Sequence, residues 1–359
     1  MKILIVASDK GNHFVPFIEE QMAALAQEGI EVERFGIKRK GLCGYLREIP
    51  RLCRTIREVH PDLIHAHYGL SGLLAGLARL VCLASTSLKM GLGGVPLVTT
   101  YHGSDINEPR VLRLSCLAMR LSAWNIFVSK RNVDIAAKAC RITNYSLIPC
   151  GVNLTDDQLL TREKARRQLS QINLPCIVAN GKERKTCAFR DIQDASIILF
   201  AGDFDNAVKD APLAQQSMDV LNADVPFFEG GRGSLIELRG YSRTEVNLLM
   251  CAADCLLLTS KREGSPQVIK EAMVCGCPIV SVDVGDVSER IADLDGCFLA
   301  RTRDPQEIAN LLAKALAHKG KTQGRQRIID EELSNKQIAR SLIHLYNSII
   351  NDRKWLRVC

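Results

Sequence analysis

The chain has few aromatic residues, no long apolar run and no long run of one charge. Aromatics make up 5% of its 359 residues, which argues against a surface that stacks bases or sugars on rings. The most apolar stretch, Leu70 to Val98, is broken by Arg79, Lys89 and several glycines. It therefore falls short of the roughly 20 uninterrupted apolar residues that a membrane span requires. Met1–Ala7 is cut off by Ser8-Asp9, too early for the apolar core of a secretion signal. The longest basic run is Lys38-Arg39-Lys40, which gives a nucleic-acid partner little support. No Gly-x-Gly-x-x-Gly follows Met1–Ala7, which speaks against a dinucleotide dehydrogenase.

What is present is ordinary globular usage, 47% hydrophobic and 24% charged, at a length that suits about two domains. The net charge of +7 is unevenly distributed: residues 1–150 hold 19 Lys and Arg against 12 Asp and Glu, and residues 151–359 hold 28 against 28. An anionic partner for the first half follows, a membrane surface in preference to nucleic acid. Arg47, Arg51 and Arg54 share one helical face opposite Leu42, Tyr45, Ile49, Leu52 and Ile56, with Pro50 interrupting that helix. An ordinary solvated arginine face gives the same pattern. The 14 cysteines sit mostly inside apolar runs, and neither Cys251/Cys255 nor Cys275/Cys277 has partners at zinc spacing. They read as buried thiols of a reduced, cytoplasmic protein.

Short apolar runs alternate with helical patterns. Lys2–Ala7, Val32–Ile37, Leu63–His67, Leu97–Tyr101, Asn125–Ser129 and Ser146–Val152 read as strands of a first domain. In a second, Ile197–Ala201, Val225–Phe228, Leu235–Arg239, Cys255–Thr259, Pro278–Val282 and Cys297–Leu299 do so. Runs apolar on both faces, separated by amphipathic helices, predict α/β architecture: two doubly wound, Rossmann-like domains facing a cleft. The expected division is 1–160, an irregular linker over 161–194, 195–340, and a C-terminal helix over 341–359 crossing back to the first domain.

The densest chemical signal runs from Ser260 to Met273. Pro266 suits a first helical position, and Gly264 lets a ligand approach the backbone. Beyond Ser265 and Pro266, the amides of Gln267 and Val268 would open the helix as an anion site suited to a diphosphate. Glu263 before the helix and Glu271 within it can each accept a pair of hydrogen bonds from vicinal hydroxyls. A surface glutamate and an ion-pair face are the plain alternative.

With its Glu-x7-Glu-Ala spacing, this run resembles the family-4 retaining glycosyltransferases, which have the GT-B fold. Supporting stretches are Leu238-Arg239-Gly240-Tyr241, Ala253-Asp254, Cys275-Gly276-Cys277-Pro278, Val284-Gly285, Pro61–His67, Thr100-Tyr101-His102-Gly103-Ser104-Asp105 and Ile148–Asn153. The resemblance implies transfer of a sugar from a nucleoside-diphosphate sugar to a glycan or lipid-linked acceptor, with retention and with neither metal nor cofactor. It places Glu263 on the donor's hexose, Glu271 on its ribose, Tyr241 near the base, and Lys209 on the diphosphate. His102 falls near the reacting carbon and Gly103 on the acceptor side. Asp105 either caps the next helix or holds an acceptor hydroxyl, and His65 and His67 share a strand face that could simply pack a helix.

Two positions depart from the family pattern. The usual Gly-Gly loop after the first strand is Ser8–His13, with Gly11 as its one glycine, and a basic residue of the diphosphate clamp is replaced by Asp203. Asp203-Phe204-Asp205 has the form of a metal motif but lies where the family binds phosphate. A nucleotide-sugar epimerase and a catalytically silent partner protein are the rival readings.

Overall fold

The computed structural model describes residues 1–9, 11–85, 94–180, 183–223 and 233–352, and the expected strand Val225–Phe228 lies outside them. Contacts divide the chain into two units, Met1–Asn153 with Leu333–Cys359, and Leu154–Glu332.

Unit 1 is built on six strands: β1 (Lys2–Ser8), β2 (Glu31–Ile37), β3 (Leu63–His67), β4 (Leu97–Tyr101), β5 (Trp124–Phe127) and β6 (Tyr145–Leu147). They run parallel in the order β2-β1-β3-β4-β5-β6. Ile3 to Ala7 are all buried because helices cover both sheet faces. The order reverses between β1 and β3, so the loops leaving these strands diverge and open a binding crevice there. The sixth strand is shorter than Ser146–Val152. Its chain leaves the sheet after Leu147, and Val152 instead bridges Ser334. That bridge leads into the final helix, Asn335–Asn351, which Ser334 caps by accepting from the Gln337 amide at 3.2 Å. The helix buries Leu342, Leu345, Tyr346 and Ile349. It belongs to unit 1 and spans Asn335–Asn351, so the expected division at 341 falls inside it.

Unit 2 carries β7 (Pro175–Asn180), β8 (Glu183–Ala188), β9 (Ile197–Phe200), β10 (Ser234–Glu237), β11 (Cys255–Leu258), β12 (Ile279–Val282) and β13 (Cys297–Ala300). Their order is β13-β12-β11-β9-β10-β7-β8, parallel from β13 to β10 and antiparallel beyond. The expected linker 161–194 is therefore wrong. It forms a helix over Arg162–Gln171 and the hairpin β7–β8, which closes one sheet edge. An edge strand facing solvent carries charge, as Arg184 and Lys185 do here, and so loses the apolar alternation that marks a strand. The boundary between the units falls at Asn153, not 160.

Candidate active site

In unit 2 the strand order reverses between β9 and β11, and the loops leaving these strands carry Lys209 and Glu263. Lys209 Nζ lies 2.7 Å from Glu263 Oε1, both side chains largely buried. Thr259 Oγ1 donates to the Lys209 carbonyl at 2.9 Å, and the Lys261 amide to the Val208 carbonyl at 2.8 Å. Arg303 donates to Asp210 Oδ2 at 2.7 Å and to the carbonyls of Thr259 and Ser260 at 2.6 and 3.1 Å. The two loops are thus tied together along their backbones, and the lysine and glutamate meet because of it.

The helix that follows spans Gln267–Val274, with Pro266 at its N-cap (φ −65°, ψ 116°), one residue earlier than its expected first-helical place. The proline supplies no capping side chain. Ser265 does not cap the helix either: its hydroxyl donates to Asp286 Oδ2 at 2.9 Å and receives Lys270 Nζ at 3.2 Å. Asp286 also receives Arg290 Nε at 3.0 Å. This buried network holds the loop from beneath. A Cβ at Gly285 would sit 2.5 Å from the Gly264 carbonyl oxygen, so the Gly264 turn depends on a glycine there (φ +60°). The amides of Gln267 and Val268 open the helix, where the backbone dipoles favour an anion.

Glu271, further along, is paired with Arg243, the first residue of the helix Arg243–Ala252. Tyr241 anchors the preceding turn by donating to the Pro175 carbonyl at 3.0 Å, and burial pushes its phenol pKa upward. Asp203 and Asp205 do not stand as two bare carboxylates. Arg239 reaches both, at 3.3 and 3.2 Å, and Arg184 reaches Asp205 at 2.5 Å. The Arg184 guanidinium also lies 5.2 Å over the Phe204 ring. Among the described residues, no group of three or more His, Cys, Asp or Glu side chains is arranged to hold a metal ion. Cys251, Cys255, Cys275 and Cys277 are buried free thiols.

In unit 1 the β4 strand delivers His102 and Gly103 into a turn, with Gly103 at φ +115°. Asp105 sits inside the short helix Ser104–Asn107 and caps no helix that follows it. Its carboxylate accepts the amides of Gly69, His102 and Gly103 at 3.0, 3.0 and 2.9 Å. It is 3% exposed, and burial raises its pKa to about 6 against the pull of those amides. Its role in the fold is to fix the His102 turn. Gly11, in the loop after β1, is exposed at φ +73°.

His65 and His67 take different places. His65 does pack a helix: Nδ1 meets Tyr346 Oη at 2.6 Å and Nε2 meets Thr100 Oγ1 at 2.7 Å. His67 Nδ1 instead meets His102 Nε2 at 3.0 Å, while Cys150 Sγ stands 3.5 Å from His102 Nδ1. Phe17 and Tyr68 flank the His102 ring at centroid distances of 4.9 and 4.6 Å. Lys209 and Glu263 are thus brought together in unit 2, and His102, Gly103 and Asp105 in unit 1. Sequence reading missed Arg243, Arg184 and Asp286, and gave Arg239 no carboxylate to pair with, since an isolated charge far along the chain carries no periodic or spacing signal. Nor does the sequence signal that the pairing of β3 with β4 brings His67 to His102.

Two parallel-rich α/β sheets, each with its chemistry on loops leaving the strand C-termini, define the GT-B class of glycosyltransferase. A family model described as Glycosyltransferase Family 4 matches residues 9–156, and one described as Glycosyl transferases group 1 matches residues 195–318. The chain belongs to the family-4 glycosyltransferases. It is 28% identical over 246 residues to TuaC of Bacillus subtilis (strain 168), a glycosyltransferase named for teichuronic acid biosynthesis, covering 65% of this chain and 56% of the relative. With the D-inositol 3-phosphate glycosyltransferase of Geodermatophilus obscurus the identity is 25%, covering 77% and 64%. The chain thus spans between half and two thirds of these relatives' lengths. Anabaena HepE, solved in complex with UDP-glucose, superposes with a TM-score of 0.69 at 18% identity, over 97% of this chain and 100% of HepE.

Proposed function

We propose that the protein transfers a sugar from a nucleoside-diphosphate sugar to a hydroxyl of a glycan or lipid-linked acceptor, retaining the anomeric configuration and using no metal or cofactor. The observation that carries this reading is the meeting of Lys209 and Glu263 at the β9/β11 switch point, in the loop that leads into the helix Gln267–Val274. An ammonium and helix amides suit a diphosphate, and a carboxylate suits sugar hydroxyls. That HepE, of the same fold, binds UDP-glucose supports the donor class.

In the proposed reaction Lys209 and the amides of Gln267 and Val268 stabilise the departing diphosphate. Glu263 orients the hexose and Glu271 the ribose, with Arg243 holding the Glu271 carboxylate in place. The acceptor hydroxyl attacks from the face the diphosphate leaves, and its proton passes to the leaving phosphate oxygen. In unit 1, Asp105 fixes the turn of His102 and Gly103 rather than holding the acceptor. The protein supplies positioning and charge stabilisation, and no nucleophile of its own. Peripheral contact with the cytoplasmic face of an anionic membrane is part of the same proposal, and accounts for the basic surplus of residues 1–150.

The test is a melting-temperature screen against UDP, GDP, ADP and their sugar conjugates, followed by assay of diphosphate release with and without candidate acceptors. Ligand-induced stabilisation with acceptor-dependent release is expected. Release without acceptor, accompanied by a changed sugar, would make the protein an epimerase. Binding without any turnover would make it a silent partner.

A further inference from the structure

We propose that Cys116 and Cys140 are a reversible modification site: a small anionic disulfide oxidises them to one disulfide, which fixes the helix carrying Ser115 and, through it, the turn at His102.

The site is built from two helices of unit 1. Cys116 lies within Pro109–Leu121, and Cys140 ends Lys130–Ala139 as its C-cap. The helices pack together over a core of Tyr101, Ile106, Met119, Phe127 and Ala136. That packing brings the two thiols into hydrogen-bond contact. Cys140 Sγ also donates to Met119 Sδ at 3.5 Å. Both cysteines are half-buried, whereas the touching pairs Cys53/Cys82 and Cys251/Cys275 are buried. Cys116 lines a groove bordered by Arg113 and Arg120, so a reagent reaches it first. The two guanidinium groups favour a reagent that carries carboxylates. Burial, and then the bond with Cys116, pushes the Cys140 thiol pKa up, so Cys140 holds its proton while Cys116 attacks.

The exchange balances in two steps. Cys116 loses its proton and attacks one sulfur of the external disulfide. That S–S bond breaks, and one half leaves as a thiolate and takes up a proton. Cys140 then gives up its proton, attacks the Cys116 sulfur and expels the second half, which is protonated in turn. Two protein thiols are oxidised, and the external disulfide is reduced to two thiols.

The crosslink bears on the His102 turn through the neighbouring residue. Ser115 Oγ donates to the Asp105 carbonyl at 2.9 Å, and a Cβ at Gly69 would lie 2.0 Å from that hydroxyl. The Asp105 carboxylate in turn holds the amides of Gly69, His102 and Gly103. Tying Pro109–Leu121 to the end of Lys130–Ala139 restrains that turn.

The test incubates the full native chain with oxidised glutathione, blocks the remaining thiols in acid and maps the tryptic peptides. Leu114–Arg120 and Ala139–Arg141 should be recovered joined, and should separate after dithiothreitol. Cystamine, a cationic disulfide, should react roughly tenfold more slowly at low salt. Hydrogen exchange over residues 98–107 should slow roughly fivefold in the oxidised chain, and should not change in Cys116→Ser or Cys140→Ser treated alike. No joined peptide, or joining of Cys53 to Cys82 or of Cys251 to Cys275 instead, overturns the site. Equal rates with the two disulfides overturn the part given to the arginines. A disulfide that leaves exchange over 98–107 unchanged overturns the link to the His102 turn.

Discussion

His67 Nδ1 stands 3.0 Å from His102 Nε2, with the two rings 19° from parallel and their centroids 5.2 Å apart. The tautomer of His102 is therefore coupled to that of a histidine that is fully buried. Burial pushes the His67 pKa down to about 3, and burial followed by its histidine neighbours holds His65 well below its usual value. His67 thus stays neutral throughout the physiological range and meets His102 as an uncharged ring of its own.

That coupling has a pH signature. A base whose folded pKa lies below its unfolded value of about 6.5 stabilises the fold above that pH. The stabilisation is lost as the pH falls toward the folded value, because the unfolded chain takes up the proton first. Asp105, raised to about 6, acts in the opposite sense between about 6 and 3.8, and offsets one of the two histidines. Stability should therefore fall from about pH 6.5 toward 4, by up to about 1.4 kcal/mol per pH unit for the uncompensated histidine. Melting curves of wild type and His67→Asn across this range should converge on acidification. Curves that stay parallel would show that His67 carries no such linkage.

Removing the Asp105 carboxylate leaves three amides, those of Gly69, His102 and Gly103, without their acceptor. Asp105→Ala should cost about 2–4 kcal/mol of stability and lower turnover, because the His102 turn loses its fixture. Asp105→Asn keeps one carbonyl oxygen and should recover part of both. A loss below about 1 kcal/mol for the alanine variant would mean that water replaces the carboxylate.

The strands of both sheets could be read along the sequence wherever helices cover them on both faces, since β1, β9 and β11 hold unbroken apolar runs. The hairpin β7–β8 could not, because an edge strand with one wet face and charges such as Arg184 has the composition of a loop. Within the site, Glu263, Pro266 and Glu271 were legible because seven intervening residues on a strand–loop–helix constrain each other locally. Their partners were not. Arg243 reaches Glu271 from 28 residues away, and Arg239 reaches Asp203 across 36. Such pairs are set by sheet order, which periodicity does not encode.

Arg239 and Arg184 neutralise Asp203 and Asp205 without an added cation. Turnover of the wild type should therefore survive excess EDTA. Arg239→Gln should leave Asp203 without its arginine beside the proposed diphosphate while Arg184 still holds Asp205, lowering turnover and making it respond to magnesium. If EDTA abolishes wild-type turnover and magnesium or manganese restores it, the two aspartates hold a metal and the arginines are only its neighbours.

The basic surplus of residues 1–150 should bind an anionic bilayer. Among the described residues no helix is long and apolar enough to cross a membrane, so any contact made through helices would be with its surface. The structure alters which arginines are available. Pro50 starts the helix Ile49–Val59 rather than interrupting one, and Arg47 lies beyond the end of Gly41–Leu46. Arg51 is held rather than free to reorient, bonding Glu48 at 2.6 Å and lying 3.9 Å over the Phe35 ring, though its side chain stays 44% exposed. Arg47 and Arg54 are exposed, and Leu42 and Leu46 are each 38% exposed. A second basic surface lies on the helix Pro109–Leu121, where Arg113 and Arg120 border a groove of about 410 Å³ containing Leu112 and the exposed Leu117. Each arginine near an anionic leaflet contributes about 1 kcal/mol, and salt screens it. Co-sedimentation with phosphatidylglycerol vesicles should therefore exceed that with phosphatidylcholine at low salt and fade at high salt. Arg47→Glu/Arg54→Glu and Arg113→Glu/Arg120→Glu, measured side by side, identify the docking face by which pair loses binding. Equal, negligible sedimentation with both lipids would remove the membrane from the list of partners and leave the surplus to the charge of the acceptor.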